Sequence, residues 1–308
     1  LVQGTLTGTV PAATALVAST APKERAGFRL GALQMVIFIA AGLGPALGGT
    51  FAEISGIRHS FFLTSILLAA SGVMVLFGVK EVKPVREVSG EEESKERGKV
   101  GLPYKLLVPG LLALFVVHIA ITSVGVALPG FLASLEAAGK HIAGQAGWIL
   151  GTGALAAAAG SVLGGRVAGK IGARRAIVFS LALAGLTAIP QAFVSNVPEL
   201  WMLRLVTSFF LGAVVPVANL AIRDAVPQER RGAAFGVASS AVAVGFAVGP
   251  IGGGLVSAAL GFWSAFLIPG VLLAALAGIL ALVWGAPRLR PGRRFGTILR
   301  ATVGHLMK

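Results

Sequence analysis

His118 lies midway along an uncharged stretch, 106–135, between aliphatic neighbours. An imidazole placed there has two uses. It can stay neutral and hydrogen-bond another helix, or it can exchange protons in a cavity, because its ordinary pKa of about 6.5 lies near physiological pH. Gln34, Gln191 and Asn219 stand in comparable stretches, where they either line a cavity or join helices by hydrogen bonds. Arg204 sits just inside the start of a further stretch, at a depth from which its side chain can snorkel to the surface. Glu53 closes a stretch and reads as interfacial. These groups do not add up to an enzyme. His59, His118, His141 and His305 fall in separate segments without acids at metal-ligand spacing, and cysteine is absent. Metal centres, thiolate chemistry and a resident cofactor are therefore not expected. The string GLGPALGG also lacks the G-K-[ST] ending of a phosphate loop.

The elements that position these groups are long and apolar. Uncharged stretches cover 1–22, 30–52, 59–79, 106–135, 141–165, 176–198, 205–222 and 232–287. Hydrophobic residues make up 56% and charged residues 12% of the chain, against about 45–50% and 25% in soluble domains. A helix crosses the hydrocarbon core of a bilayer in roughly 20 residues. Seven stretches hold one span each and the last holds two, which predicts nine transmembrane helices. A membrane barrel would show short alternating segments instead. Trp148, Trp201, Trp263 and Trp284 lie near predicted span ends, as an interfacial belt requires.

The net charge of +14 invites a nucleic-acid reading, but its distribution argues for a membrane. Of the 26 Lys and Arg residues, 23 fall in alternate loops or the tail, leaving Arg58, Lys140 and Arg204. This asymmetry places the basic loops and the C-terminus in the cytoplasm. Residues 80–104 form the long polar segment, with six of the twelve acids and no apolar period; they read as a linker between 1–79 and 105–285. The tail, 286–308, carries Phe295, Ile298, Leu299, Thr302, Val303, Leu306 and Met307 at helical spacing among cations. It is expected to form a basic amphipathic helix on the membrane surface.

Two glycine-proline segments stand out, A40-A-G-L-G-P-A-L-G-G49 and G245-F-A-V-G-P-I-G-G-G254. In water such a composition breaks helices; in lipid the backbone must stay paired, and glycine lets helices approach closely. A shift of 205 residues superimposes the segments without a gap from Pro11 to Phe61: Pro22-x-Glu24-Arg25-x-Gly27 meets Pro227-x-Glu229-Arg230-x-Gly232, and Gly56 meets Gly261. Internal repeats are a transporter signature. Residues 105–195 have no counterpart, so the sequence predicts that about a hundred residues and three spans precede Leu1 in a twelve-helix protein.

The glycine-proline pattern carries a resemblance. Gly236, Gly245, Gly249, Pro250, Gly253 and Gly254 match the antiporter motif of the major facilitator superfamily, and Gly31, Gly44, Pro45, Gly48 and Gly49 match it with Ala40 in place of one glycine. Gly165, Lys170, Gly172, Arg174 and Arg175 resemble the family's cytoplasmic loop motif, departing at Gly169, where the family prefers aspartate. Leu1-Val-Gln-Gly4 is similar to the end of its fourth-helix motif. The resemblance implies an all-α membrane protein of the major facilitator fold, with helices four to twelve present. It implies a monomeric carrier in the cell membrane that exchanges small lipophilic molecules, drugs among them, for protons by alternating access. A sugar or metabolite carrier of the same fold, and a fragment that transports nothing, stay open as alternatives. The glycine-proline stripe itself reads as helix packing, or as the contact along which helices slide and seal.

Overall fold

The computed structural model describes residues 9–22, 24–78, 104–135 and 142–284. The expectations for Leu1–Gly4, most of the linker, Lys140 and the basic tail lie outside the described residues. The described residues form nine α-helices: α1 (Thr9–Thr20), α2 (Ala26–Ser55), α3 (Ile57–Gly78), α4 (Tyr104–Ser134), α5 (Ile142–Ile171), α6 (Ala173–Ala188), α7 (Val197–Ala225), α8 (Arg231–Leu260) and α9 (Ser264–Val283). Eight are long and apolar enough to cross a membrane; α1 contributes a shorter apolar helix over Val10–Thr20. No strand occurs among the described residues.

Helix ends follow local chemistry. Pro190 cannot continue the hydrogen-bonding ladder of α6, and the chain passes into a 3-10 turn over Ile189–Phe193. Asn196 then starts α7: its Oδ1 accepts from Glu199 N at 2.9 Å, and its Nδ2 donates to Glu199 Oε2 at 3.4 Å. This reciprocal cap satisfies an otherwise orphan amide. Between α5 and α6 the joint is a single residue, Gly172, at φ 89° and ψ 147°, a region that only glycine enters freely.

The repeat seen in the sequence recurs in the helix boundaries. α2 and α8 start and end 205 residues apart, as do the ends of α1 and α7 and of α3 and α9. The hinge glycines between the paired helices match as well, with φ 87° at Gly56 and 96° at Gly261. Two sequences far apart in the chain therefore build the same three-helix unit.

Packing is layered by depth. One apolar cluster runs through the basic end and middle of the bundle, with Leu30, Leu107, Leu114, Ile177, Leu181, Leu211, Ile222, Phe235 and Leu273 buried in it. A smaller cluster, including Leu128, Leu132, Ile149, Leu200 and Phe266, closes the opposite end. The outer surface is apolar too: Phe77, Met74, Leu282 and Leu255 are exposed. A soluble protein would not present so much apolar surface, whereas hydrocarbon solvates it.

Candidate functional site

The second glycine-proline helix is fitted to α4 along its glycine stripe. A Cβ on Gly245 would lie 2.8 Å from the Phe115 carbonyl oxygen and 2.9 Å from His118 Cβ. One on Gly249 would strike Thr122 Oγ1 and come within 3.1 Å of the Ile119 oxygen. One on Gly253 would lie 2.8 Å from Ser123 Cα. For Gly236 and Gly254 no heavy atom among the described residues lies within 4 Å of an added Cβ. α8 stays helical through Pro250, although proline removes one backbone donor there. Beside it Ser123 Oγ donates to the Gly249 carbonyl at 3.0 Å and to the Ile119 carbonyl at 2.7 Å. That hydroxyl ties the two helices together one residue before Pro250.

The first copy uses a different set of residues. Gly31 abuts the Ser161 backbone of α5, and Ser161 Oγ donates to the Gly31 carbonyl at 3.0 Å. Gly27 and Gly165 meet backbone to backbone, and a Cβ on Gly42 would lie 2.8 Å from Ala154 Cβ. Among the described residues, nothing lies within 4 Å of a Cβ on Gly44. Pro45, Gly48 and Gly49 lie within α2, in a part whose side-chain surroundings are outside the described residues. The repeat thus builds one helix twice and packs it on two different partners, α4 and α5.

A third close contact joins α5 to α7. Gly160 faces the Phe209 carbonyl, Gly212 faces the Ala157 backbone, and a Cβ on Gly164 would lie 2.6 Å from Ala213 Cβ. The four-residue spacing of Gly160 and Gly164 was the available signal, but it is scattered among alanines rather than marked by a proline.

The polar residues separate. His118 is 8% exposed; its Nδ1 lies 2.7 Å from the Leu114 carbonyl of its own helix, and its ring tilts against Phe246 of α8 at 4.9 Å. It belongs to the α4–α8 contact. Gln191 is fully buried, donating from Nε2 to Thr207 Oγ1 at 2.6 Å and to the Thr187 carbonyl at 3.1 Å, and so links the turn after α6 to α7. Gln34 on α2 and Asn219 on α7 are half-buried. Arg204 departs from expectation: it is 5% exposed, turned into the bundle rather than out to the surface. Sequence depth gave its height along α7 but not its face.

The loop-motif residues gather at the basic end. Gly165 is a packing residue of α5, Lys170 lies in its last turn, Gly172 is the hinge, and Arg174 and Arg175 open α6 and are exposed. At the same end Arg166 lies over the Phe28 ring at 4.8 Å. Arg223 reaches from α7 to the C-terminal end of α1, where Nε donates to the Ala18 carbonyl at 2.7 Å and Nη2 to the Ala21 carbonyl at 2.8 Å. Arg231 adds a bond to the Ala18 carbonyl at 3.1 Å. Helix C-termini leave carbonyls unpaired and carry partial negative charge, so two guanidinium groups cap α1 from the other repeat.

Among the described residues no group of three or more His, Cys, Asp or Glu side chains could hold a metal ion. What the arrangement offers is a membrane-embedded bundle of repeated units, in close glycine-lined contact and latched by cations at one end. That is the construction of a multi-pass carrier. The sequence matches the Major Facilitator Superfamily over residues 1–139 and 110–301, and the chain belongs to that family. It is 28% identical to the multi-drug resistance efflux pump PmrA homolog of Lactococcus lactis, over 87% of this chain and 66% of that protein. It is 32% identical to the multidrug resistance protein MdtG of Dickeya zeae, over 86% of this chain and 65% of the relative. The chain thus spans about two thirds of the length of these relatives. Among solved structures, human MFSD10, an organic anion transporter, superimposes with a TM-score of 0.71 at 18% identity, covering 89% of this chain and 68% of the other; the likeness is one of fold.

Proposed function

We propose that the protein is an exporter of drugs or other small lipophilic molecules, working by alternating access and coupled to protons. The observation that carries this reading is the twice-built glycine-proline helix, seated on α4 in one copy and on α5 in the other. Support for the substrate class comes from the two relatives, whose names assign them to multidrug resistance. Residues 1–79 and 105–285 act as the two moving bodies, with 80–104 joining them and 286–308 as a cytoplasmic tail. Small residues at their contacts let packed helices slide without large side-chain rearrangement, and the cations on α1 hold one end shut. A lipophilic cargo needs few polar contacts, which fits a bundle whose serine and threonine hydroxyls mostly donate to backbone carbonyls. The protein works as a monomer.

The test is export. The full gene product, expressed in a drug-sensitive bacterial host, is expected to raise resistance and to lower dye accumulation, and a protonophore should cancel both effects. Unchanged accumulation at confirmed membrane expression defeats the reading. Retained export after collapse of the proton gradient defeats only the coupling.

Orientation has its own test. A cysteine at Arg174 should resist an impermeant maleimide in intact cells, and one at Lys140 should react, the chain having no native cysteine. Labelling of position 174 from outside inverts the topology. For His118, a role in proton coupling requires that His118→Ala change the pH profile of export. Identical profiles leave His118 as a packing residue between α4 and α8.

A further inference from the structure

A cleft of about 990 Å³ opens at the basic end of the bundle, between α4, α6, α7 and α9. It lies on another part of the molecule from the glycine contacts. Its wall is apolar: Leu106, Val178, Phe179 and Leu280 line it, with Phe179 58% and Leu106 52% exposed. Its mouth is cationic. Arg174 and Arg175 line it and are exposed, and the Arg174 guanidinium carbon lies 5.8 Å from the centre of the Trp284 ring. The acid of the lining, Asp224, is paired with Arg223 at 3.4 Å, which offsets its charge.

These features sort by depth. Arg174, Arg175 and Trp284 stand at the helix ends, where headgroups lie, while Phe179 and Leu280 stand one turn further along α6 and α9. Cations at headgroup level above an apolar wall match a molecule with a phosphate at one end and hydrocarbon at the other. An indole at the rim suits the boundary between them. Basic clefts between membrane helices take anionic lipid headgroups in this way.

We propose that the cleft binds one anionic phospholipid, with its phosphate between Arg174 and Arg175 and an acyl chain along Phe179, Val178 and Leu106. A headgroup with net negative charge gains from both guanidinium groups, whereas a zwitterionic headgroup brings its own cation into their field. The bound lipid also covers apolar surface of α6 and α9 that water would otherwise reach where the bundle meets the headgroups. This binding does not depend on export and would occur in a protein that carries nothing.

The experiment uses Trp284 as the reporter. The full chain carrying Trp148→Phe, Trp201→Phe and Trp263→Phe is placed in bilayers doped with brominated phosphatidylglycerol or brominated phosphatidylcholine. Quenching of Trp284 should reach half its maximum at a mole fraction of the anionic lipid on the order of tenfold lower. Arg174→Ala with Arg175→Ala should remove that preference, and the double lysine variant should keep most of it. Equal quenching by the two lipids, or a preference untouched by the double alanine variant, overturns the proposal. Relief of quenching by millimolar inorganic phosphate would make this a free-anion site and overturn the lipid assignment. A preference that emerges only after residues 286–308 are removed would make the tail the occupant. If the triple tryptophan variant does not fold, native mass spectrometry of the unaltered chain decides: phosphatidylglycerol should be retained over phosphatidylcholine, and lost with the double alanine change.

Discussion

Gly249→Leu is expected to abolish export while the protein still reaches the membrane. Even a Cβ at this position meets Thr122 Oγ1 and the Ile119 carbonyl oxygen, and the remainder of a leucine has to displace the α4 backbone. Overpacking of this kind costs about 1–3 kcal/mol, equivalent to roughly 5- to 150-fold in an equilibrium. The displacement also separates Ser123 Oγ from the Gly249 carbonyl, undoing the link beside Pro250. Gly254→Leu is the control. It lies five residues on in the same helix and motif, adds the same volume, and among the described residues its Cβ meets nothing within 4 Å. Resistance conferred in a drug-sensitive host, at matched membrane expression, should be lost for Gly249→Leu and kept for Gly254→Leu. Equal resistance in the two variants would remove the packing role; equal loss would show that the motif tolerates no added bulk on either face.

The contrast between Gly249 and Gly254 marks what could be read from the sequence. Run length and charge asymmetry revealed the spans, because a bilayer imposes both directly. The repeat offset was equally legible, and the boundaries of α2 and α8 agree with it residue for residue. Faces were harder. A glycine-rich helix has nearly the same composition all round, so the sequence could not say that Gly245, Gly249 and Gly253 touch α4 while Gly236 and Gly254 meet none of the described residues. Partner choice was not legible: Gly31, equivalent to Gly236 in the repeat, meets Ser161, whereas among the described residues nothing lies within 4 Å of a Cβ on Gly236. Among the described residues the copies share a sequence, and the helices they touch are α4 for one and α5 for the other. Arg204 and Arg223 make the same point for charge. Both sit near the ends of α7, and only the packed bundle decides that both turn inward.

Arg223→Ala should release the end of the molecule that the α1 cap holds shut. Arg223 is 5% exposed and satisfies the Ala18 and Ala21 carbonyls, which belong to residues 0% and 5% exposed. Removing the guanidinium leaves the Ala18 carbonyl to Arg231 alone and the Ala21 carbonyl to find another partner, at about 1–3 kcal/mol for an unsatisfied group. Water can satisfy the vacated acceptor sites once α1 moves away from α7, so the substitution penalises the closed arrangement more than the open one. A gain of about 1.4 kcal/mol in that difference shifts the equilibrium roughly tenfold. Ala18→Cys gives the readout in a chain with no native cysteine: its reaction with a water-soluble maleimide should be slow alone and about tenfold faster beside Arg223→Ala. Arg223→Lys should fall between, since a single ammonium lacks the fork that spans two carbonyls. Arg231→Ala should act more weakly, because its 3.1 Å bond reaches a carbonyl that Arg223 already holds. A labelling rate unchanged by Arg223→Ala would mean that the contact between α1 and α7 is fixed packing and no latch.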